Sequence, residues 1–354
     1  MKVIFFLTWP VEDASSRYRV YQFEKKLIEK NITLKYDVLF PNWFLRIKNR
    51  KGIAFSLLKV FCMIYYLIIR IIRIPMSIRY DVVFVHREVF PFFTPFFERI
   101  TKLLSKKMIF DFDDAIFLKP TKWSNWRDVL RNPERIKDVC RLADGVITGN
   151  QFLSDYAVQF NDNVVIIPTV YNAIPAEYAI KNQIPVIGWI GSWSTTLNLE
   201  IVSDALTLLS NKYKFIFRVV GAKNIYEIIY KNVQIEYLDW TLEKENEYLN
   251  SFDIGIMPLY DNPWEKGKCA FKLIQYMSCA KPVVASPVGT NKEIIYHGKS
   301  GFFASTKEDW IQYLGVLLDN RKMREEMGQT GKQFILDNYS FEKTSEKFIN
   351  AIVA

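Results

Sequence analysis

The sequence predicts an α/β protein built as two Rossmann-like, doubly wound parallel-sheet domains, and three observations carry that reading. Short runs of β-branched and aromatic residues alternate with helical patterns, and the period of strand and helix restarts near residue 180. The length of 354 residues suits two cores of roughly 150 to 200 residues each better than one. Half of the residues are hydrophobic and no long Ser, Gly, Gln or Pro tract occurs, so each half can bury a core.

Lys2–Leu7 (KVIFFL) reads as the first strand of an open parallel sheet. It is followed by the small, polar loop TWPVEDASSRYRV and a helical pattern from Tyr18 to Lys30. Further strands are expected at Thr33–Phe40, Asp81–His86, Lys107–Phe112, Gly145–Thr148 and Val164–Ile167. A linker from Ala176 to Ile184 separates these from a second series at Val186–Ile190, Phe215–Val220, Gln234–Leu238, Ile254–Met257, Pro282–Ala285 and Gly301–Phe303. Alternation of this kind gives parallel strands with helices on the faces. The expected domains are 1–178 and 179–335, with 336–354 a C-terminal helix crossing back to the first. No internal repeat of 20 to 50 residues is visible. In open α/β sheets ligands bind beyond the carboxyl ends of the strands, so candidate residues are sought in the loops that follow each strand.

Composition narrows the chemistry. Cys62, Cys140, Cys269 and Cys279 form no CxxC pair, and MKVIFFLTWP lacks a signal-peptide core and cleavage site, which places the expected location in the cytoplasm. With His86 and His297 the only histidines, a His-built metal site is not expected and no metal cofactor is implied. Through residue 180 there are 27 Lys+Arg against 18 Asp+Glu, which leaves 20 against 20 beyond it, so the whole +9 excess lies in the N-terminal half. Between Asp37 and Asp81 stand eight cations and no acid. No nucleic-acid-binding module or Arg-rich helix accompanies this charge, which argues against a nucleic-acid partner.

Within that basic interval, Ile53–Ile74 (IAFSLLKVFCMIYYLIIRIIRI) resembles a membrane span interrupted by Lys59, Arg70 and Arg73. One reading is an amphipathic helix whose basic and aromatic edge lies on anionic lipid, with residues 43–79 as the contact surface and the inner face of the plasma membrane as the location. The other is an ordinary domain helix flanked by solvated Arg and Lys.

The densest chemical signal is Trp264–Gly289 (WEKGKCAFKLIQYMSCAKPVVASPVG). Over Lys268–Cys279 the apolar Ala270, Leu273, Ile274 and Met277 have helical spacing, and Lys268, Lys272 and Gln275 fall on another face at i, i+4 and i+7. A helix starting after Lys266-Gly267 would bring backbone amides, the positive dipole end and two ammonium groups to one place, as a diphosphate requires. The alternative is a solvated helix face.

In the first half, FDFDDAIF sets Asp111, Asp113 and Asp114 within four residues. Such acids repel one another unless something binds them. Three readings stay open: a site that orients or deprotonates an acceptor hydroxyl, a divalent-metal site, and a turn salt-bridged to Arg17, Arg19 or Arg87. Arg17 and Arg19 are also candidates for a phosphate, and His86 with Arg87 is a further candidate pair at a strand end.

An ordered set of motifs covers almost the whole chain: Ala143–Asn150 (ADGVITGN), Pro168-Thr169-Val170, Gly188–Ser192 (GWIGS), Asp253–Leu259 (DIGIMPL), Gln275-Tyr276-Met277, Cys279–Ser286 (CAKPVVAS) and Asn338-Tyr339-Ser340. Together they resemble the family-four glycosyltransferases of the GT-B fold. The resemblance implies two Rossmann-like domains facing across a cleft, the first binding acceptor and the second a nucleotide-sugar, with no metal needed. It implies that Lys268 and Lys272 neutralise the donor diphosphate and Gln275 bonds the ribose. It further implies that Gly191 and Ser192 approach the phosphates, while Gly221, Leu238, Asp239, Met257, Pro258 and Leu259 surround the nucleoside. Two departures stand out: Gln275 and Gly267 occupy positions where the family commonly has glutamates, and GWIGSWSTTLNLE lacks the Arg and Lys that many members carry there. The implied activity is a retaining hexosyl or related transfer to a saccharide or lipid-linked saccharide in bacterial-type surface polysaccharide synthesis. A sugar-nucleotide epimerase, a polyol-phosphate transferase and a catalytically idle nucleotide-sugar-binding partner are the alternatives.

Overall fold

The computed structural model describes residues 1–47, 50, 52–91, 95–119, 132–172, 182–222 and 230–354. These residues form two compact units, Met1–Thr169 with Glu342–Ala354, and Val170–Phe341. Residues 176–181 of the expected linker and the basic residues Lys48 and Lys51 lie outside the described residues.

The first unit holds β1 (Lys2–Leu7), β2 (Thr33–Val38), β3 (Val82–His86), β4 (Met108–Phe112), β5 (Gly145–Thr148) and β6 (Val164–Ile166) in the order β2-β1-β3-β4-β5-β6, every pair parallel. The strand order reverses between β1 and β3, the switch point at whose carboxyl edge open α/β sheets bind their ligands. β1, β3, β4 and β5 are apolar runs because helices cover both of their faces. The C-terminal helix Phe341–Val353 belongs to this covering layer: Phe348 stacks on Phe23 at 4.4 Å and meets Phe84 at 5.4 Å.

The expected helix from Tyr18 to Lys30 is instead two short helices, Ala14–Arg19 and Glu24–Glu29, joined by a 3-10 turn at Tyr21–Phe23. Asp13 caps the first through bonds from Ser15 N and Ser16 N at 3.2 and 3.4 Å, so the helix starts four residues before the apolar period becomes visible. Val20, at φ −132° and ψ −64°, leaves the helical region and ends it. The early start matters, since it puts Ser15, Arg17 and Arg19 on a helix at the carboxyl end of β1.

The second unit holds β7 (Val186–Ile190), β8 (Ile216–Val220), β9 (Gln234–Leu238), β10 (Ile254–Met257), β11 (Val283–Ala285) and β12 (Gly301–Phe303) in the order β12-β11-β10-β7-β8-β9, again all parallel. This is the dinucleotide-fold order, with its switch point between β7 and β10. Trp189, Leu206, Phe217, Ile256, Trp310 and Leu314 anchor the core on one side of the sheet.

Candidate functional site

In the second unit the carboxyl edge of the sheet is lined by residues that leave four neighbouring strands. Gly191 and Ser192 follow β7, Gly221 follows β8, Leu238 and Asp239 close β9, and Met257, Pro258 and Leu259 close β10. The ladder continues into these loops, with Gly191 N donating to Val220 O at 3.0 Å and Gly221 N to Leu238 O at 2.9 Å. Gly221 has φ +86°, and a Cβ there would stand 2.7 Å from the Gly191 carbonyl oxygen. A Cβ on Gly191 would stand 2.6 Å from the Trp189 ring. The two loops touch backbone to backbone, which only glycine permits. Leu259 is held by its N–H donating to Ser286 Oγ at 3.0 Å, and the Asp239 carbonyl accepts from Tyr248 Oη at 3.2 Å.

The lysine-bearing helix spans Phe271–Ser278, three residues shorter at its start than the apolar spacing implies. Ala270 takes a left-handed φ of +50° and cannot continue an α-helix backward. Lys268 therefore lies in the preceding loop, with its Nζ 3.7 Å from Glu265 Oε2, and does not share a helix face with Lys272 and Gln275. Lys272 Nζ stands 5.6 Å from the centroid of the Trp189 ring, the same ring that walls Gly191. One turn on, the Tyr276 hydroxyl accepts from Ile190 N at 3.0 Å and ties the helix to the end of β7. Burial holds that phenol above its ordinary pKa, so it stays neutral.

Gln275 is buried, and its Nε2 donates to Glu245 Oε1 at 3.3 Å. Glu245, also buried, accepts from Trp240 Nε1 at 2.7 Å through its other oxygen. A carboxylate thus stands beside the glutamine, supplied by the helix Glu245–Asn250 rather than by position 275 or 267. Glu245 belongs to no motif in the sequence and lies 30 residues from its partner, so no local signal could have found it.

In the first unit the polar residues at the carboxyl ends of β3 and β4 form one network with the helix after β1. His86 Nδ1 lies 2.7 Å from Asp111 Oδ2 and its Nε2 lies 2.9 Å from Ser15 Oγ, which donates to Asp113 Oδ2 at 2.7 Å. Arg87 donates to Asp113 Oδ1 through Nε at 2.9 Å and to Asp114 Oδ2 through Nη2 at 2.6 Å. Its φ of +64° is strained for a non-glycine residue and turns the guanidinium onto both acids. Burial works against ionisation of Asp113, yet Arg87, His86 and Arg19 hold its carboxyl far below the usual carboxylate range. Burial likewise opposes the charge on Arg87, and Asp113 and Asp114 outweigh it and raise the pKa.

Arg19 and Asp111 are corrected from ligand candidates to a core ion pair, 2% and 0% exposed. Arg19 Nε donates to Asp111 Oδ2 at 3.3 Å, Nη2 bonds Asp111 Oδ1, and Nη1 reaches the Ile167 carbonyl. Burial opposes ionisation of Asp111, and Arg19 and His86 override it, so its pKa falls below the ordinary value. Arg17 is buried too, donating to the carbonyls of Val11 and Glu12 at 3.0 and 3.2 Å with its guanidinium over Tyr18, and so holds the loop after β1. Of the three readings of the aspartates, the salt-bridged turn describes these contacts, and Asp113 and Asp114 remain partly exposed at its rim. Among the described residues no group of three His, Cys, Asp or Glu side chains converges to hold a metal ion. Ser15, the link between His86 and Asp113, lies in the ASSRYR run, where the sequence draws attention to the arginines instead.

Residues 184–320, within the second unit, match the family described as Glycosyl transferases group 1. Over that segment the chain is similar to glycosyl transferases of this group. Over 204 residues it is 23% identical to an uncharacterized glycosyltransferase of Methanocaldococcus jannaschii, covering 57% of each chain. Over 237 residues it is 24% identical to a second one from the same organism, covering 60% of this chain and 59% of that relative. The chain thus spans a little over half the length of these curated relatives. Among solved structures, sucrose-phosphate synthase from Thermosynechococcus elongatus aligns with a TM-score of 0.71 at 12% identity, covering 99% of this chain and 98% of its own. Anabaena HepE, solved with UDP-glucose, aligns with a TM-score of 0.65 at 12% identity, covering 100% and 99%. At such identities the likeness carries the fold, which is GT-B. Gly191 and Gly221 after β7 and β8, the Lys272 helix and the Glu245–Gln275 pair all fall inside the matched segment.

Proposed function

We propose that the chain is a retaining glycosyltransferase of the family-four type, moving a hexosyl or related sugar from a nucleotide-diphosphate donor to a saccharide or lipid-linked saccharide in surface polysaccharide synthesis. It works in the cytoplasm. The single observation that carries the reading is the meeting of Lys272, Trp189 and the Gly191 loop at the carboxyl edge of the second sheet, inside the matched segment.

In this reading the donor diphosphate lies on Gly191 and Ser192, where bare backbone allows close approach, and Lys272 and Lys268 balance its charge. We assign that charge to lysine rather than to a metal ion. The ribose is held by Gln275 with Glu245, which supplies the carboxylate absent from positions 275 and 267. Gly221, Leu238, Asp239, Met257, Pro258 and Leu259 enclose the nucleoside. As the bond from the anomeric carbon to the diphosphate oxygen breaks, its electron pair leaves with the nucleoside diphosphate. The acceptor oxygen bonds to the same face of the sugar and its proton passes to the departing phosphate oxygen, so positioning and charge stabilisation are the protein's main contribution. The acceptor is assigned to the first unit, at Asp113, Asp114 and Arg87 beside His86.

HepE, which shares the fold, is solved with UDP-glucose, so uridine donors head the panel to be tested. The test measures nucleoside diphosphate release from UDP-, GDP-, ADP- and dTDP-sugars with and without saccharide acceptors. Acceptor-dependent release is expected. Acceptor-independent conversion would point to an epimerase, and absence of any release to an idle binding partner.

A further inference from the structure

We propose that the helix Ile53–Arg73 seats the first unit on a lipid bilayer, lying in the plane of the interface with its hydrocarbon side turned outward. The proposal concerns the first unit alone and does not depend on how the second unit's donor site is read.

This helix is built inside out for a protein in water. Two of its three cations are buried: Lys59 Nζ donates to the Arg50 carbonyl, and Arg70, 1% exposed, donates to Asp37 Oδ1 and to the Leu7 carbonyl, each at 3.1 Å. Its apolar residues point outward. Ile53, Leu57, Phe61, Ile64, Ile68 and Ile72 recur at helical spacing down one side, each at least half exposed, with Ile53 at 82% and Phe61 at 70%. An aliphatic stripe of this length facing water is unfavourable, and soluble monomers rarely keep one.

Three observations choose lipid as the occupant. The exposed positions between 53 and 72 carry no charge, and Ser56 and Tyr65 are the only polar residues among them. A protein partner would be met by a polar rim and hydrogen-bonding groups. Cations stand instead at the two ends, with Arg50 exposed before the helix, Arg79 exposed beyond its close, and Arg73 part-exposed at the close while also meeting Asp37 Oδ1 at 3.4 Å, as anionic headgroups favour. The helix is long and apolar enough to cross a bilayer by length and composition. Yet Lys59, Cys62, Arg70 and the following Ile74 are buried, and Arg70 is bound to the ends of β1 and β2, so the helix is held along the unit. This corrects the expected basic edge: Lys59 and Arg70 hold the helix to the protein, and the hydrocarbon side makes the contact.

Flotation of the full chain with vesicles of phosphatidylcholine, and of phosphatidylcholine with phosphatidylglycerol, tests the proposal. Wild-type protein should float with both and more completely with the anionic mixture. Leu57→Gln, Phe61→Gln and Ile64→Gln combined should lower the bound fraction at least tenfold on both, with an unchanged thermal melt because these side chains are exposed. Should that variant not fold, Ile72→Gln alone, at the far end of the stripe, should still reduce binding. Failure of the wild type to float on either vesicle overturns the proposal. So does binding to anionic vesicles only that the triple variant retains, or a stable wild-type dimer without lipid that the triple variant dissociates.

Discussion

His86 stands between Asp111 and Ser15, with Nδ1 2.7 Å from the buried carboxylate and Nε2 2.9 Å from a hydroxyl that also serves Asp113. A serine hydroxyl supplies one hydrogen, so Ser15 can donate to Asp113 or to Nε2 but not to both at once. The buried and rim acids are thereby joined through one imidazole, with Arg19 compensating the inner end and Arg87 the outer.

Removing one partner of the inner pair should be costly. Asp111→Asn leaves the Arg19 guanidinium in the core without its counter-charge, and a loss of about 3–5 kcal/mol is expected. Replacing both, as Arg19→Met with Asp111→Leu, should recover part of that loss because neither member of the pair is left buried without the other. Denaturant midpoints of the two variants check this, and a double variant less stable than Asp111→Asn would count against the pair as described.

Acid should act on the same network. Asp111 and Asp113 both titrate below their unfolded value of about 3.9, so their contribution is fully present above that value and is lost as pH falls through it toward their native pKa. The difference in denaturant midpoint between wild type and Asp113→Asn should therefore shrink between pH 5 and pH 3. A difference that stayed constant over that range would contradict the depressed carboxyl.

Much of this architecture was legible in the sequence, and the reason is burial. Strands covered on both faces must be apolar along their length, so the runs ending in Leu7, His86, Phe112, Ile190 and Met257 stood out within a residue or two of their true limits. The helix at Ile53–Arg73 was legible as a helix but not in its facing, because a cation in an apolar run looks solvated until Asp37 and the Leu7 carbonyl are found beneath it. The start of the Lys272 helix was hidden because an alanine at φ +50° leaves no mark on hydrophobic period. Partners distant in sequence, such as Ser15 with His86 across 71 residues, are set by topology alone.

Gly221→Ala should damage the second unit at its carboxyl edge. The residue has φ +86°, and the new methyl would sit 2.7 Å from the Gly191 carbonyl oxygen, a backbone atom that cannot swing aside. The left-handed strain alone costs about 1–3 kcal/mol. The Gly191 loop should be displaced as well, so nucleoside diphosphate affinity should fall together with stability. Unchanged stability with full affinity would mean that the two loops are not packed as described.

Lys272→Ala and Glu245→Gln separate charge from recognition in the donor site. Lys272 is partly exposed and packs on Trp189 through its charged end, so its removal should leave the fold intact. If it balances the departing diphosphate, turnover should drop on the order of 10²-fold or more. Glu245→Gln keeps an acceptor for Trp240 but removes the carboxylate beside Gln275. It should weaken binding of ribonucleoside diphosphates while barely changing that of their 2′-deoxy counterparts, since the lost contact is to a ribose hydroxyl. Calorimetric titration with UDP and dUDP reads this directly, because a purely structural role for Glu245 would weaken both ligands alike. Retained turnover in Lys272→Ala would remove the diphosphate assignment while leaving the Glu245 contact to be judged on its own titration.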